Sequence, residues 1–260
     1  MDKEKKLNLW SMYHENTKHF PHIMQKIPLS EGELTELMLR GKKAYPIAAK
    51  IKLKSYKDTT MISLEDMLLK RRSSRNFCKK AIPVSKISAL LQLSYGVSGE
   101  SSITSNAETH RYQLRSAPSA GALYSCELYL VALNVTDLEK GVYHYAPEEN
   151  ELEMLSANKS LEELIHECII DNNQFHHWAA AAIITGTFVK ATSKYGERGY
   201  RYVLLDAGHI GQNIYLAATG LGLGVVGVCG FYDDTVNSLL SLDGQNESAL
   251  YIMLLGQVDR

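Results

Sequence analysis

The chain has 260 residues, 45% of them hydrophobic, and a formal net charge of -1 at pH 7. That length suits one large domain or two small ones with a sizeable core. The near-neutral balance gives no general attraction for nucleic acid or an acidic membrane surface, so neither is expected as a partner.

The first ten residues, MDKEKKLNLW, are polar and charged and hold no apolar signal-peptide core. Residues 1–60 are rich in Lys, His and Tyr and weakly periodic. They are expected to form a helical extension, with one helix over Glu31 to Arg40, packed on a main domain of residues 61–260. Ser63-Leu64-Glu65-Asp66 predicts a helix N-cap with an acid at the third helical position, opening a helix to Arg71. A second helix follows Pro83, with Val84, Ile87, Leu90, Leu91 and Tyr95 as its apolar stripe. Glu127 to Leu133 and Val142 to Tyr145 predict strands, the second leading into a hairpin. Ser160-Leu161-Glu162-Glu163 predicts a capping box and a helix to Ile170. Ala181 to Val189 reads as a buried strand and Ala249 to Val258 as a last one.

The longest helix begins near Tyr200, where Val203, Ala207, Ile210, Ile214, Ala217 and Leu221 repeat at three and four residues. Its small residues, such as Gly208 and Gly211, allow close approach and suggest a subunit interface. The glycine-broken apolar run near the C-terminus is too short to span a bilayer, so a soluble, cytoplasmic α+β protein is expected. The four cysteines lie far apart with no C-x-x-C pair, and read as reduced structural thiols.

Four segments carry candidate chemistry. RRSSRNF, Arg71 to Phe77, offers arginine forks and serine hydroxyls that match phosphate oxygens, or ordinary cations at a helix C-terminus. RSAPSAGALY, Arg115 to Tyr124, is a small-residue loop feeding a strand, where backbone N–H groups can approach a flat or anionic ligand. GLGLGVVG, Gly220 to Gly227, fits G-x-G-x-x-G but follows a helix. A dinucleotide fingerprint follows a strand, so a Rossmann site is rejected in favour of a helix C-cap and a loop lying on a ligand. Lys194-Tyr195 is either an acid–base pair or a solvated polar loop. His176 and His177, taken as adjacent on a helix, diverge and lack a carboxylate at ligand spacing, so no metal site is expected. His209 is read as a packing residue.

In order, RRSSR, APSAGALY-x-x-ELY, GVYHY, KYGERGYRY and LDAGHIGQN-x-x-LAATGLGLG resemble the nitroreductase superfamily over about residues 63 to 258. The combination is similar to the SagB-type azoline oxidases, the ThcOx or McbC-like dehydrogenases, and YHENTK, Tyr13 to Lys18, fits that branch. The resemblance implies a nitroreductase-like fold, a central mixed or antiparallel sheet surrounded by helices, with a homodimer whose interface builds the sites. It implies FMN as cofactor, with Arg71, Arg72, Ser73 and Arg75 on its phosphate and ribityl chain. It places Pro118, Ser119, Ala120 and Gly121 on the flavin across the dimer interface, and Gly224, Val225 and Gly227 near its ring. It implies Lys194 and Tyr195 as the catalytic pair. Ser125 replaces a proline usual in the family, with little effect expected. The chain ends at Arg260 without the basic tail of many nitroreductases, which leaves the arginine cluster to hold the phosphate.

The expected activity is dehydrogenation of thiazoline or oxazoline rings to thiazoles or oxazoles during peptide natural-product biosynthesis. The azoline-bearing peptide would be presented in trans, by a nonribosomal peptide synthetase or a cyclodehydratase complex. A generic NAD(P)H-dependent nitro- or quinone reductase, and a flavin-binding structural subunit of a modification complex, are the alternatives.

Overall fold

The computed structural model describes residues 8–19, 29–39, 43–56, 61–105, 107–158 and 160–259. Arg40 and Arg260 fall outside this set. In chain order the elements are α1 (Leu9–Asn16), α2 (Glu31–Leu39), β1 (Ala49–Lys52), α3 (Leu64–Lys70), β2 (Ile82–Pro83), α4 (Val84–Tyr95), β3 (Val97–Ser105), β4 (Glu108–Arg115), β5 (Cys126–Ala132) and β6 (Val135–Thr136). Then come β7 (Gly141–Ala146), β8 (Glu151–Ser156), α5 (Leu161–Glu167), β9 (Ala180–Thr187), α6 (Phe188–Tyr195), α7 (Arg198–Gly220), β10 (Leu223–Val228), α8 (Asp233–Leu239) and β11 (Glu247–Gln257). The fold is α+β, as expected.

Seven strands make one sheet in the order β1-β8-β7-β5-β9-β11-β10. Every pairing in it is antiparallel. β5 is buried along its whole length because helices cover both faces of the sheet. Its alternation sends Leu128 and Leu130 to the core shared with α4 and α7, and Tyr129 and Val131 to the core on the opposite face.

The ELY and GVYHY motifs meet inside this sheet. His144 on β7 lies 2.9 Å by Nδ1 from Glu153 Oε2 on β8, and 3.3 Å by Nε2 from Glu127 Oε2 on β5. Lys190 of α6 stands 3.5 Å from Glu127 Oε1. The ion pair thus ties α6 to the buried sheet. Burial opposes the charge on Glu127, but His144 and Lys190 outweigh it and hold its carboxyl below the ordinary value.

Several local expectations hold, and several are corrected. Ser63 caps α3, its Oγ accepting from the Asp66 N–H at 3.1 Å. Ser160 does not cap α5: it makes no side-chain cap bond, and its own N–H donates to Asn158 Oδ1 instead. α5 ends at Glu167, short of Ile170. The strand expected over Ala181 to Val189 stops at Thr187, and the chain turns directly into α6. His176 and His177 lie in a loop rather than on a helix, with His177 at φ 59°. The stretch before Ser63 also contributes β1, which extends the edge of the sheet. Within residues 97–115 the hairpin β3–β4 forms an arm that the sequence reading left without structure.

Candidate active site

The small-residue loop and the Lys-Tyr pair come together. After β4 the chain makes a 3-10 turn over Ala120–Ala122, with Gly121 at φ 60°. A Cβ on Gly121 would collide with Tyr195 Oη and lie 2.6 Å from Lys194 Nζ. Glycine is therefore required twice, for the left-handed backbone and for the close approach. Lys194 and Tyr195 form the last turn of α6, not a polar loop, with Lys194 Nζ 5.3 Å from the Tyr195 ring centre.

Asp206 of α7 anchors the loop from below. Ser119 Oγ donates to Asp206 Oδ2 at 2.5 Å, the Ala120 N–H donates to Oδ1 at 3.3 Å, and Ser119 Oγ accepts from the Tyr124 N–H at 2.9 Å. Asp206 lies in the LDAGHIGQN segment. Its signal was legible, since a carboxylate sits on the apolar stripe between Val203 and Ile210. Tyr202 packs edge-on against Tyr195 with ring centres 5.0 Å apart.

The electrostatics differ across the pair. Desolvation lowers the pKa of the half-buried Lys194 below its ordinary value. Desolvation, with Tyr202 and Asp206, raises that of Tyr195. Desolvation likewise raises Asp206. Burial therefore disfavours the charged form of both groups, making the amine easier to deprotonate and the phenol harder.

The YHENTK motif docks against the start of α7. Tyr13 Oη donates to the Glu197 carbonyl at 3.3 Å, and its ring meets Tyr200 edge-on. Arg198 Nη1 donates to the Thr17 carbonyl at 2.5 Å, and Arg201 donates to Thr17 Oγ1. α1 thus braces the turn between α6 and α7.

The arginine cluster lies elsewhere on α7. Arg71 stacks 5.1 Å over the Tyr215 ring, and Ser73 Oγ lies 3.1 Å from Tyr215 Oη. Arg75 is exposed. Arg72 turns back to cap α3, donating to the carbonyls of Leu69 and Arg71. Asp66 pairs with Lys70 at 2.7 Å, and among the described residues no carboxylate pairs with the three arginines. Arg71 and Arg75, with no carboxylate partner among the described residues, and the Ser73 hydroxyl held by Tyr215 are groups that could meet a phosphate.

The glycine-rich segment is not the loop expected. Gly222 at φ 72° closes α7, but Gly224, Val225 and Gly227 lie within β10. The Ser74 N–H donates to the Val225 carbonyl at 2.9 Å, and the Gly227 N–H donates to Tyr215 Oη at 2.7 Å. A Cβ at Gly224 would run into Val258 and crowd Phe77 and Ser74, and one at Gly227 would run into Tyr251. Gly224 thus lets RRSSRNF lie close on β10, and Gly227 makes room for the Tyr251 ring. Tyr215, which the sequence reading missed, joins both segments; one tyrosine on a long helix carries no pattern that marks it.

Asp206 and Tyr215 are nine residues apart on α7. Nine residues make two and a half turns, so the two side chains leave opposite faces about 13 Å apart along the axis. The loop with Lys194–Tyr195 and the arginine cluster thus flank different sides of one helix. Among the described residues no group of three or more His, Cys, Asp or Glu side chains is set to hold a metal ion, and no helix is long and apolar enough to cross a membrane.

The family model for the nitroreductase family matches residues 68–257. A nitroreductase-type protein of Methanocaldococcus jannaschii is 36% identical over 203 residues, 77% of this chain and 93% of that protein. The microcin B17-processing protein McbC of Escherichia coli is 32% identical over 56% of this chain and 55% of its own length. The trifolitoxin-processing protein TfxB of Rhizobium leguminosarum bv. trifolii is 32% identical over 55% of this chain. This chain spans about half of McbC and 39% of TfxB. Among solved structures, a nitroreductase-type protein of Anabaena variabilis superimposes with a TM-score of 0.72 at 28% identity, covering 94% of this chain and 45% of that one. The Escherichia coli microcin synthetase McbBCD complex with truncated pro-MccB17 bound gives 0.62 at 24% identity, with 96% and 87% covered, a likeness of fold. With the family model spanning most of the chain, this protein belongs to the nitroreductase family.

Proposed function

We propose that the protein is an FMN-dependent oxidase that converts thiazoline or oxazoline rings in a peptide to thiazoles or oxazoles. The carrying observation is the convergence of Lys194 and Tyr195 on Gly121. A reductase that passes hydride from a nicotinamide to a nitro or quinone group has no need of a desolvated amine there. Two relatives named for processing peptide products, microcin B17 and trifolitoxin, support the peptide context.

Arg71, Ser73 and Arg75 would hold the FMN phosphate, while Arg72 orders the turn that presents them. FMN, when bound, supplies the two-electron acceptor for the hydride that leaves the azoline ring. The chain's own part is the proton. Lys194 Nζ, whose pKa desolvation lowers, takes the proton from the ring carbon in its unprotonated form. Tyr195, kept protonated, donates a hydrogen bond that orients ring and amine. Asp206 holds Ser119 and Ala120 so that the loop roofs the pair and limits access of water.

The placement of the two half-sites supports a homodimer. Because the loop and the arginine cluster leave opposite faces of α7, a flavin held at Arg71 is completed by the loop of a second copy. The partner that presents the azoline acts in trans, as a peptide synthetase or a cyclodehydratase complex. The protein of Methanocaldococcus jannaschii keeps a second reading open, a nitro- or quinone reductase driven by NAD(P)H. Single turnover of a synthetic thiazoline decides between them. Loss of two hydrogens with bleaching of the flavin supports the oxidase, and consumption of NADPH with a nitroarene but no thiazoline oxidation replaces it.

A further inference from the structure

A cavity of about 300 Å³ opens on the far side of the loop, between the β3–β4 arm, Leu39 of α2 and Ala122–Tyr124. Strand alternation sends Arg111, Gln113 and Arg115 to one face of β4, and Glu100 stands opposite Gln113 on β3. Arg115 is the anchor. Its side chain is only 5% exposed, its guanidinium lies 4.4 Å over the Tyr95 ring, and Nη2 donates to Glu148 Oε1 at 3.0 Å. Its Nη1 has no hydrogen-bond partner although it is buried, and the same is true of Gln113 Oε1.

An unpaired buried donor and an unpaired buried acceptor are each costly, and native proteins keep few of them. Arg115 and Gln113 both line the cavity, and their unpaired atoms are complementary, since Nη1 donates and Oε1 accepts. Glu100 and Glu148 balance Arg111 and Arg115 in number, so the lining carries both signs equally and selects no net charge. Both atoms are covered, and a turn of the two side chains toward the cavity would let a neutral amide meet them, its carbonyl accepting from Arg115 and its N–H donating to Gln113. Leu39 and Leu123 supply apolar walls.

We propose that this cavity is a subsite for a peptide group of the polypeptide substrate, a few residues from the ring being oxidised. This rests on the peptide-oxidase reading above. The loop supplies the continuity: Gly121 meets Lys194, and Ala122 to Tyr124 wall the cavity. At 3.8 Å between successive α-carbons, Gly121 and Tyr124 are at most about 11 Å apart, a span that three or four extended peptide residues cover.

The test uses the flavin-loaded full chain, a short thiazole-containing peptide as a product mimic, and calorimetric titration, so that binding is read without turnover. Gln113→Leu keeps the volume and removes the acceptor. It is expected to weaken peptide binding about tenfold, without lowering the melting temperature, because it deletes an unpaired polar group. Gln113→Trp, which fills the cavity, is expected to abolish peptide binding. If both variants bind the peptide as the wild type does, the subsite is wrong. If the wild type does not bind the peptide but binds NADPH in a Gln113-dependent way, the cavity takes a nicotinamide carboxamide and the proposal is overturned. Peptide binding that depends on Gln113, in a protein that never oxidises a thiazoline, sinks the oxidase reading and leaves the peptide subsite standing.

Discussion

Gly121 and Lys194, 73 positions apart in the chain, are in such close register that a methyl group on the glycine would lie 2.6 Å from the lysine Nζ. The small-residue loop and the end of α6 are thus one structural unit, and its integrity is testable at the glycine. Gly121→Ala adds left-handed backbone strain of about 1–2 kcal/mol and displaces the amine and phenol. The melting temperature should fall modestly and azoline turnover much more. Wild-type turnover in this variant would separate the loop from the chemistry.

Lys194→Ala and Lys194→Arg should both retain flavin and lose about 10²–10⁴-fold in the rate of proton removal, since arginine cannot shed its proton. Tyr195→Phe should lose less, because the phenol orients rather than accepts. The effects should be non-additive in the double variant. Rapid-mixing kinetics with a synthetic thiazoline reads all four, and full activity in Lys194→Arg excludes the amine as base.

The pH profile has a definite sign. A base must be deprotonated, so kcat/KM should rise with pH through the Lys194 pKa, which lies below the ordinary 10.5. Tyr195 should lose its proton only above its ordinary 10.0, so no falling limb is expected at neutral pH. A profile that falls as pH rises from 6 to 8 (about the histidine range) would show a required acid that neither Lys194 nor Tyr195 supplies, and would contradict this assignment.

Arg71→Ala with Arg75→Ala should weaken FMN binding. Each charge-assisted bond is worth about 1.5–3 kcal/mol, so the double variant should lose flavin on dialysis while Arg72→Ala mainly loosens α3. The released cofactor should be FMN. Retention of flavin in the double variant means another element holds the phosphate. Sedimentation should show a dimer for the loaded protein, and a loaded monomer would contradict a site shared between copies.

Glu127 links stability to pH. Its carboxyl titrates below the ordinary 4.5 in the folded chain, so its contribution is present above that value. The contribution is lost as pH falls through the lowered folded value. Glu127→Gln removes the carboxylate that His144 Nε2 and Lys190 share, while Glu153 still holds His144 Nδ1, and should lower stability. It should also flatten the acid limb of the stability curve, as urea unfolding at neutral and acidic pH would show.

The sequence by itself determined the α+β class, the long helix with its apolar stripe, the Ser63 cap and the segments that carry chemistry. All of these rest on spacing within a few residues, where the backbone period alone dictates which side chains share a face. It also excluded a Rossmann site, because helix-before-glycine is a matter of order along the chain. The tertiary structure decided what long-range packing controls. Ser160 carries the same capping-box spacing as Ser63 but does not cap, since its N–H is drawn to Asn158. GLGLGVVG reads as a ligand loop, yet it becomes the edge strand β10 because RRSSRNF must lie against it. The residues of Lys194-Tyr195 alone leave an acid–base pair and a solvated loop open, and the fold brings Gly121 into contact with them. The partnering of Asp206 with Ser119, and of Tyr215 with Ser73 and Gly227, spans separations of 12 to 142 residues. No local period encodes such contacts; they arise only when the sheet and α7 fix the distances.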